Sequence, residues 1–236
     1  MLYRYETHCH SSQCSACAHS TAQALVHAYK DAGYAGLILT DHFIHGNTSV
    51  DAGLPWAVRM ERYYGAYLDA KAEGEKLDFD VIFALEHAYG GQEVLVYGID
   101  LPFLLDNPDI PQLAIDEFAQ RVHDYGGILI QAHPYRYGGW DVTVRLDLVD
   151  GLEIFNAGND PVKNQMALQK SKESPCILTS GADTHYMGEP RIGQAGIALP
   201  YRIHNEKELV TALKKGDHQY IIGGKILSSI SEDDLR

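Results

Sequence analysis

The sequence contains no uninterrupted apolar stretch of the ~18–20 residues that a membrane-spanning helix needs. Its first ten residues, MLYRYETHCH, lack the basic region and apolar segment of a signal peptide, so a cytoplasmic protein without membrane attachment is expected. There is no long basic run. Nineteen Lys and Arg stand against 32 Asp and Glu, a net charge of −13, which argues against binding nucleic acid by counterion displacement. Cysteine is scarce: Cys9, Cys14, Cys17 and Cys176. Cys14-Ser-Ala-Cys17 has C-x-x-C spacing but no second such pair and no thioredoxin-like context, so the four read as reduced thiols. Contact of Cys14 or Cys17 with a metal is the alternative. No internal repeat or low-complexity linker divides the chain.

What is present is a 236-residue chain, 45% hydrophobic, enough for one large core. Short apolar runs alternate with helical patterns. Tyr3 to His10 reads as a strand ending in His-x-His, Thr21 to Ala32 as a helix capped by Ser20 or Thr21 and ended by Gly33, and Gly36 to Thr40 as a second strand. A polar loop from Phe43 to Pro55 precedes a helix over 56–77, whose Tyr63, Tyr64 and Tyr67 follow helical packing spacing. Strands are predicted at 79–85, 93–97, 128–132, 151–155, 176–180, 195–199 and 219–222, and helices at 112–125, 161–173 and 206–215. Apolar strands separated by helices imply a parallel sheet covered on both faces, and about seven such units favour a closed or nearly closed barrel. Residues 1–222 are expected to form one domain, and the acidic tail 223–236 to be loose.

The polar residues are not spread evenly. His8 and His10, Asp41 and His42, Glu86, His133, and Asp183 and His185 fall at the ends of five predicted strands, the rim where β/α barrels build their sites. In His8-Cys9-His10 the two imidazoles lie two apart and leave a strand on the same side. As isolated residues these would be caps or turn contacts, but recurrence at five strand ends points to a metal site. Nitrogen and oxygen donors suit zinc, manganese or iron. The donors exceed the needs of one ion, so two or three divalent ions are expected, with Glu86 as the bridge.

The set His8-Cys9-His10, Thr40-Asp41-His42, Glu86, Ala132-His133-Pro134 and Gly181-Ala182-Asp183-Thr184-His185 resembles the polymerase and histidinol phosphatase (PHP) family from residue 4 to about residue 199. The resemblance implies an α/β fold with a distorted seven-stranded β/α (TIM-like) barrel, a trinuclear metal site and hydrolysis of phosphoesters. It implies that His8, His10, Asp183 and bridging Glu86 hold a first ion, His42 and His185 a second, and His133 with Glu86 a third. Asp41 is expected to orient a ligand from behind. Two positions depart from the family pattern. The loop after the first motif offers Gln13 as a weak oxygen donor, with His19 as a poorer substitute, and Glu93 leads the fourth strand where a histidine is usual.

The expected reaction is hydrolysis of a small phosphomonoester (histidinol phosphate, a nucleotide or a sugar phosphate) by a metal-bound hydroxide, with Glu86, His185 and Asp183 as the catalytic group. Arg136 and Arg191, each shortly after an expected ligand, are candidates to bind phosphate, with surface ion pairing as the plain alternative. Asn156 and Asn159 are candidates to line the pocket, and the 43–55 loop to cover it. The competing readings are a phosphotyrosine-protein phosphatase, a hydrolase of C–N bonds, and a ligand-binding barrel with a reduced metal site. The C–N reading calls for a lysine at a strand end, and none lies there in this strand map. The oligomeric state is left open.

Overall fold

A computed structural model describes residues 1–138 and 143–235. In chain order the elements are β1 (Tyr3–Cys9), α1 (Ala22–Asp31), β2 (Gly36–Leu39), α2 (Trp56–Lys76), β3 (Asp80–Tyr89), β4 (Gln92–Tyr97), α3 (Leu101–Asp106), α4 (Ile115–Tyr125), β5 (Ile128–Gln131), β6 (Gly151–Asn156), α5 (Pro161–Ser171), β7 (Ile177–Gly181), β8 (Ala195–Leu199), α6 (Glu206–Lys215), β9 (Gln219–Ile222) and β10 (Lys225–Leu227). Local chemistry sets many of the helix ends. The Thr21 hydroxyl accepts from the Ala24 amide at the start of α1, and Gly126 takes the left-handed conformation (φ 98°) that ends α4.

The strands form one ten-stranded sheet in the order β10-β9-β8-β1-β2-β3-β4-β5-β6-β7. This corrects the expectation of a seven-stranded, all-parallel barrel. β1, β2 and β3 run parallel, as do β5, β6 and β7, but β4 is antiparallel to both β3 and β5, and β8, β9 and β10 add antiparallel strands beyond β1. The reversal follows from chain length. Only Gly90 and Gly91 separate β3 from β4, which is enough for a hairpin but not for the crossover a parallel pair needs. Glu86, expected just past a strand end, therefore lies inside β3, paired with Leu95.

The sheet curls into a half-barrel and is left open between β7 and β1. The segment after β7 bridges the seam: the Asp183 amide donates to the His8 carbonyl (2.8 Å), and the His10 amide to the Thr184 carbonyl (2.8 Å). Lower in the seam the buried Glu6 side chain acts as an acceptor in place of a strand. Its Oε1 accepts from the amides of Thr7 (3.0 Å), His8 (2.9 Å) and Ala182 (2.8 Å). One apolar cluster fills the layer between the sheet and its covering helices, with Leu37, Phe83, Val96 and Phe118 among its members. A second holds Tyr5, Ile38, Ile82, Tyr97 and Ile130 together with Leu209, Val210 and Leu213 of α6.

The tail, expected to be loose, is docked. β10 pairs with β9, Leu235 is buried, and the Gln165 side chain donates to the Glu232 carbonyl (3.2 Å). Its Ile226, Leu227 and Ile230 pack on the core, so the acidic residues ride on an apolar anchor.

Burial raises the Glu6 carboxyl to about 7, against the lowering effect of its backbone donors. A group whose folded pKa lies above its unfolded value favours folding when protonated. The protein should therefore lose stability as pH rises from the ordinary glutamate range through 7. Glu6→Gln, which keeps the acceptor and removes the charge, is expected to remove this slope. In denaturant titrations the variant should match the parent near pH 5 and exceed it by about 2–3 kcal/mol at pH 8, one pKa unit being worth about 1.4 kcal/mol. Parallel pH profiles for the two proteins would refute the assignment.

Candidate metal centre

The parallel strands bring their C-terminal ends to one mouth, and the reversal of β4 brings its beginning there too. His8 comes from β1, His10 from just beyond it, His42 from the end of β2, Glu86 from β3, Glu93 from the start of β4, His133 from the end of β5, and Asp183 and His185 from beyond β7. All are buried except Glu93 and His185, which are partly exposed. His133 (φ 24°) and Asp183 (φ 54°) lie in the left-handed region, which costs a non-glycine residue on the order of 1–3 kcal/mol. The surroundings hold both in place. The His133 amide donates to Glu153 Oε2 (2.7 Å), and the Asp183 amide to the His8 carbonyl.

Hydrogen bonds behind the rings decide which nitrogens face the mouth. His8 Nδ1 lies 3.0 Å from Glu153 Oε1, an acceptor, so that nitrogen carries the proton. The Ser15 hydroxyl donates to Asp41 Oδ1 (2.7 Å), and its one proton is thereby used. His10 Nδ1, 3.3 Å from Ser15 Oγ, must be the donor to it. In the neutral rings both Nε2 atoms are then lone pairs, and they face each other at 3.1 Å. Asp183 Oδ1 lies 3.5 and 3.1 Å from them, Glu86 Oε1 lies 3.2 Å from His8 Nε2, and Glu86 Oε2 lies 3.5 Å from His10 Nε2. Atoms at these spacings need positive charge between them, a proton on His8 in the protein alone or a metal ion in its place. A tetrahedron with metal–ligand bonds of ~2.0–2.1 Å has edges of about 3.3 Å, so the donor set fits a zinc-sized ion.

Two further sets share Glu86. His133 Nε2 lies 3.0 Å from Glu86 Oε1 and 3.4 Å from Glu93 Oε2. His42 Nδ1 lies 2.8 Å from Glu86 Oε2 and 3.6 Å from Glu93 Oε1. His42 Nδ1, Glu86 Oε2 and Glu93 Oε2 are buried with no aligned hydrogen bond despite this proximity, as expected of donors shaped for an ion. The His10 ring stacks between His42 (4.3 Å between centroids) and His185 (4.6 Å). Glu86 is thus the carboxylate common to the sets.

The charges respond strongly. Burial would lower the His8 pKa, but Glu153, Asp183 and Glu86 outweigh it and hold it well above the ordinary value. His10, buried and beside His42, is pushed down to about 3. His42 rises to about 10 against burial, through contacts with Cys17 and Glu86. Burial opposes ionisation of Glu86, yet His8, His133 and His42 hold it well below the carboxylate range. Glu93 rises through burial and the neighbouring Glu86 charge. Burial alone would raise the Cys17 thiol, but His185 and His42 bring it down to about 6.

Not every expected residue joins the set. Gln13 does not. Its Oε1 accepts from the Ala22 amide (2.7 Å) and its Nε2 donates to Asp69 (3.0 Å), so its side chain serves the start of α1. Asp41 stands behind the ligands, accepting from the Ser11 amide and hydroxyl and from Ser15. Arg136 ion-pairs with Asp183 and donates to Asn156 Oδ1 (2.7 Å) and Asn159 Oδ1 (2.9 Å). Arg191 pairs with Glu189, whose other oxygen accepts from the His185 amide (2.7 Å). The two guanidinium groups meet over Gly158, where an added Cβ would collide with Arg191 Nη1 and lie 3.2 Å from Arg136 Nη2. The 43–55 loop walls the mouth on one side. Ser15 bridges to Thr48, and His45 lines the neighbouring cavity.

Two supporting residues, Glu153 and Ser15, do not emerge from the sequence reading. Glu153 holds His8, His133 and Asn156 at once, and its signal is a lone carboxylate within the apolar run Gly151–Phe155. Ser15 has no such signal, because only the fold brings it between Asp41 and His10.

Neither a protein-family model nor a curated protein matches the sequence. Solved structures do match. A candidate metal-dependent phosphoesterase from Bifidobacterium adolescentis aligns over 89% of this chain and 96% of its own, with a TM-score of 0.55 at 14% identity. An amidohydrolase from Chromobacterium violaceum, determined with bound sulfate and no metal, aligns over 88% and 96%, with a TM-score of 0.61 at 14% identity. A two-domain protein from Bacteroides vulgatus containing a predicted PHP-like metal-dependent phosphoesterase aligns over 96% of this chain and 66% of its own, with a TM-score of 0.65 at 16% identity. At this identity the likeness is one of fold. Among the described residues no helix is long and apolar enough to cross a membrane.

Because the His8 and His42 pKa values are raised, metal must displace their protons. Zinc loading near pH 7 should release protons, and affinity should climb as pH rises. Calorimetry in buffers of differing ionisation enthalpy tests this, and zero net release would contradict it. Glu153→Ala, which frees His8 and His133 from their common partner, should weaken metal binding by about 10–100-fold. Unchanged affinity in a competition titration would remove Glu153 from that role.

Proposed function

From the fold it shares with proteins described as metal-dependent phosphoesterases, we propose that the chain is a metal-dependent hydrolase of small phosphomonoesters. The observation that carries phosphate over other substrates is the meeting of Arg136 and Arg191 over Gly158, beside the ligand Asp183. Two planar cations at the edge of a carboxylate–imidazole cluster suit a tetrahedral dianion.

In this reading His8, His10, Asp183 and Glu86 hold one ion, His133, Glu86 and Glu93 a second, and His42 and His185 a third. Bound zinc, manganese or iron would activate water near neutral pH and neutralise phosphoryl oxygens. The chain's own residues do the rest. Glu86, beside His8, His42 and His133, would be the carboxylate shared between neighbouring ions. Arg136 and Arg191, beside Asp183 and Glu189, would bind phosphoryl oxygens. Asp41, through Ser15, and Glu153 keep the Nδ1 protons of His10 and His8 in place, so each ring presents a lone pair. A cleft of about 500 Å³ runs along Glu93, His133, Arg136 and Tyr137. It adjoins a cavity of about 740 Å³ walled by Tyr89, Leu113, Ile115 and His87, where the leaving group would lie. Hydrolysis of C–N bonds is the second reading, favoured by the amidohydrolase among the structural matches.

The test is a panel of phosphomonoesters, phosphodiesters and amides with protein stripped by chelator and reloaded with zinc, manganese or iron. Phosphomonoesters should be hydrolysed only after reloading. Glu86→Gln and His133→Ala should each lower kcat/KM by about 100-fold or more, the scale for losing a transition-state electrostatic contact. Arg191→Met should raise KM by about 10–100-fold, hydrogen bonds to charged groups being worth about 1.5–3 kcal/mol. Turnover of amides alone, or phosphatase activity indifferent to chelator, would overturn the proposal.

A further inference from the structure

Arg136 is held more firmly than a surface arginine. Its Nε donates to Asn159 Oδ1 (2.9 Å), its Nη2 to Asn156 Oδ1 (2.7 Å), and its Nη1 pairs with Asp183. These contacts use three of the five N–H groups of a guanidinium. Asn156 closes β6 and is fully buried, whereas Asn159, on the turn that follows, is partly exposed.

The surroundings of Asn156 admit its side-chain amide in one orientation. Asn156 Nδ2 lies 2.8 Å from Glu153 Oε2, and an ionised carboxylate can only accept, so the NH2 group faces Glu153. On the other side the Gly158 amide (2.8 Å) and Arg136 Nη2 are donors, so the side-chain oxygen faces them. The same Glu153 carboxylate meets His8 Nδ1 (3.0 Å) and the His133 amide (2.7 Å). A chain of hydrogen bonds therefore runs from two of the metal-centre histidines through Glu153 and Asn156 to Arg136. The backbone beneath is fixed by other means. Asn164, buried on α5, accepts from the Asn156 amide (3.1 Å) and donates to the Asn156 carbonyl (3.2 Å). The Asn156 side chain is thus not what holds the end of β6 in place.

We propose that Asn156 is a positioning residue for phosphate binding. Its amide ties the Arg136 guanidinium to Glu153 and so fixes where that cation sits relative to His8 and His133. Arginine has a long, flexible stem, and ordering it before the anion arrives lowers the cost of binding. In this role Asn156 touches no reacting atom and acts only through Arg136. The proposal rests on the phosphate-binding part of the proposed function and holds whichever phosphomonoester is the substrate.

The test is a double-mutant cycle on the zinc-loaded full chain, read as the affinity for inorganic phosphate by calorimetry, with zinc content measured alongside. Asn156→Leu, close in size to the native side chain, should weaken phosphate binding by about 10-fold, the scale for ordering one long side chain. Arg136→Met should weaken it by about 10–100-fold. The double variant should bind no more weakly than Arg136→Met, because nothing is left for the asparagine to hold. Effects that multiply, an unchanged affinity in Asn156→Leu, or loss of zinc from that variant would overturn the proposal. A second readout needs no Asn156 variant to fold. In the unaltered protein the terminal N–H groups of Arg136, identified by their absence from Arg136→Met, should give separate signals in nitrogen-resolved proton spectra, as hindered rotation requires. A single averaged signal would also overturn the proposal. If the zinc-loaded parent takes up no phosphate, this proposal and the phosphate reading fall together. If the parent binds phosphate and the effects multiply, this proposal alone falls.

Discussion

The structure is organised by a charge problem at one mouth of a curled sheet. Glu86, Asp183 and Glu153 are buried within a few ångströms of His8, His10, His42 and His133. Buried carboxylates at this density are tolerated only with matching positive charge. In the protein alone, protons on His8 and His42 and the guanidinium of Arg136 supply it. The Nε2 atoms of His8 and His10, held face to face by the hydrogen bonds of their Nδ1 atoms, mark where a divalent ion would do so in place of the proton. Much of the local architecture serves this arrangement, including the left-handed backbone at His133 and Asp183 and the near-contact of Gly181 with His8 and Glu153.

The departure of the sheet from a regular barrel belongs to the same account. A parallel β4 would carry its first residues away from the mouth. The two-residue Gly90-Gly91 hairpin reverses it, and Glu93, second in the strand, arrives between His42 and His133. The open seam between β7 and β1 likewise has a use. It leaves room for the Asp183–His185 segment to cross over β1, while Glu6 meets the amides that a closed ladder would have paired.

The supporting residues divide by how they could be found. Glu153 is a single carboxylate inside an apolar strand, where an unpaired charge would be costly, so the run of residues around it is enough to announce an interior partner, whereas Glu6 sits among Arg4, Thr7 and His8 and carries no such mark. Ser15 and Gly158 carry none either. A serine in a serine-rich loop and one glycine among 22 acquire meaning only from what the fold sets beside them. Gln13 is the converse case. Its place in the loop recommended it as a donor, but a helix start with an unsatisfied amide claimed it instead.

What the sequence determined by itself is the order of the main elements, α3 and β10 apart, and the gathering of His and carboxylate residues near strand ends. Both depend on local periodicity and on strand polarity, which places the ends of parallel strands on one side. Tertiary structure alone decided the direction of β4, the open seam, the docking of the tail through Leu235, and the hydrogen bonds that choose a tautomer for each ring. These depend on contacts between residues far apart in the chain, such as His8 with Glu153 and Asp41 with Ser15, whose distances no local pattern encodes.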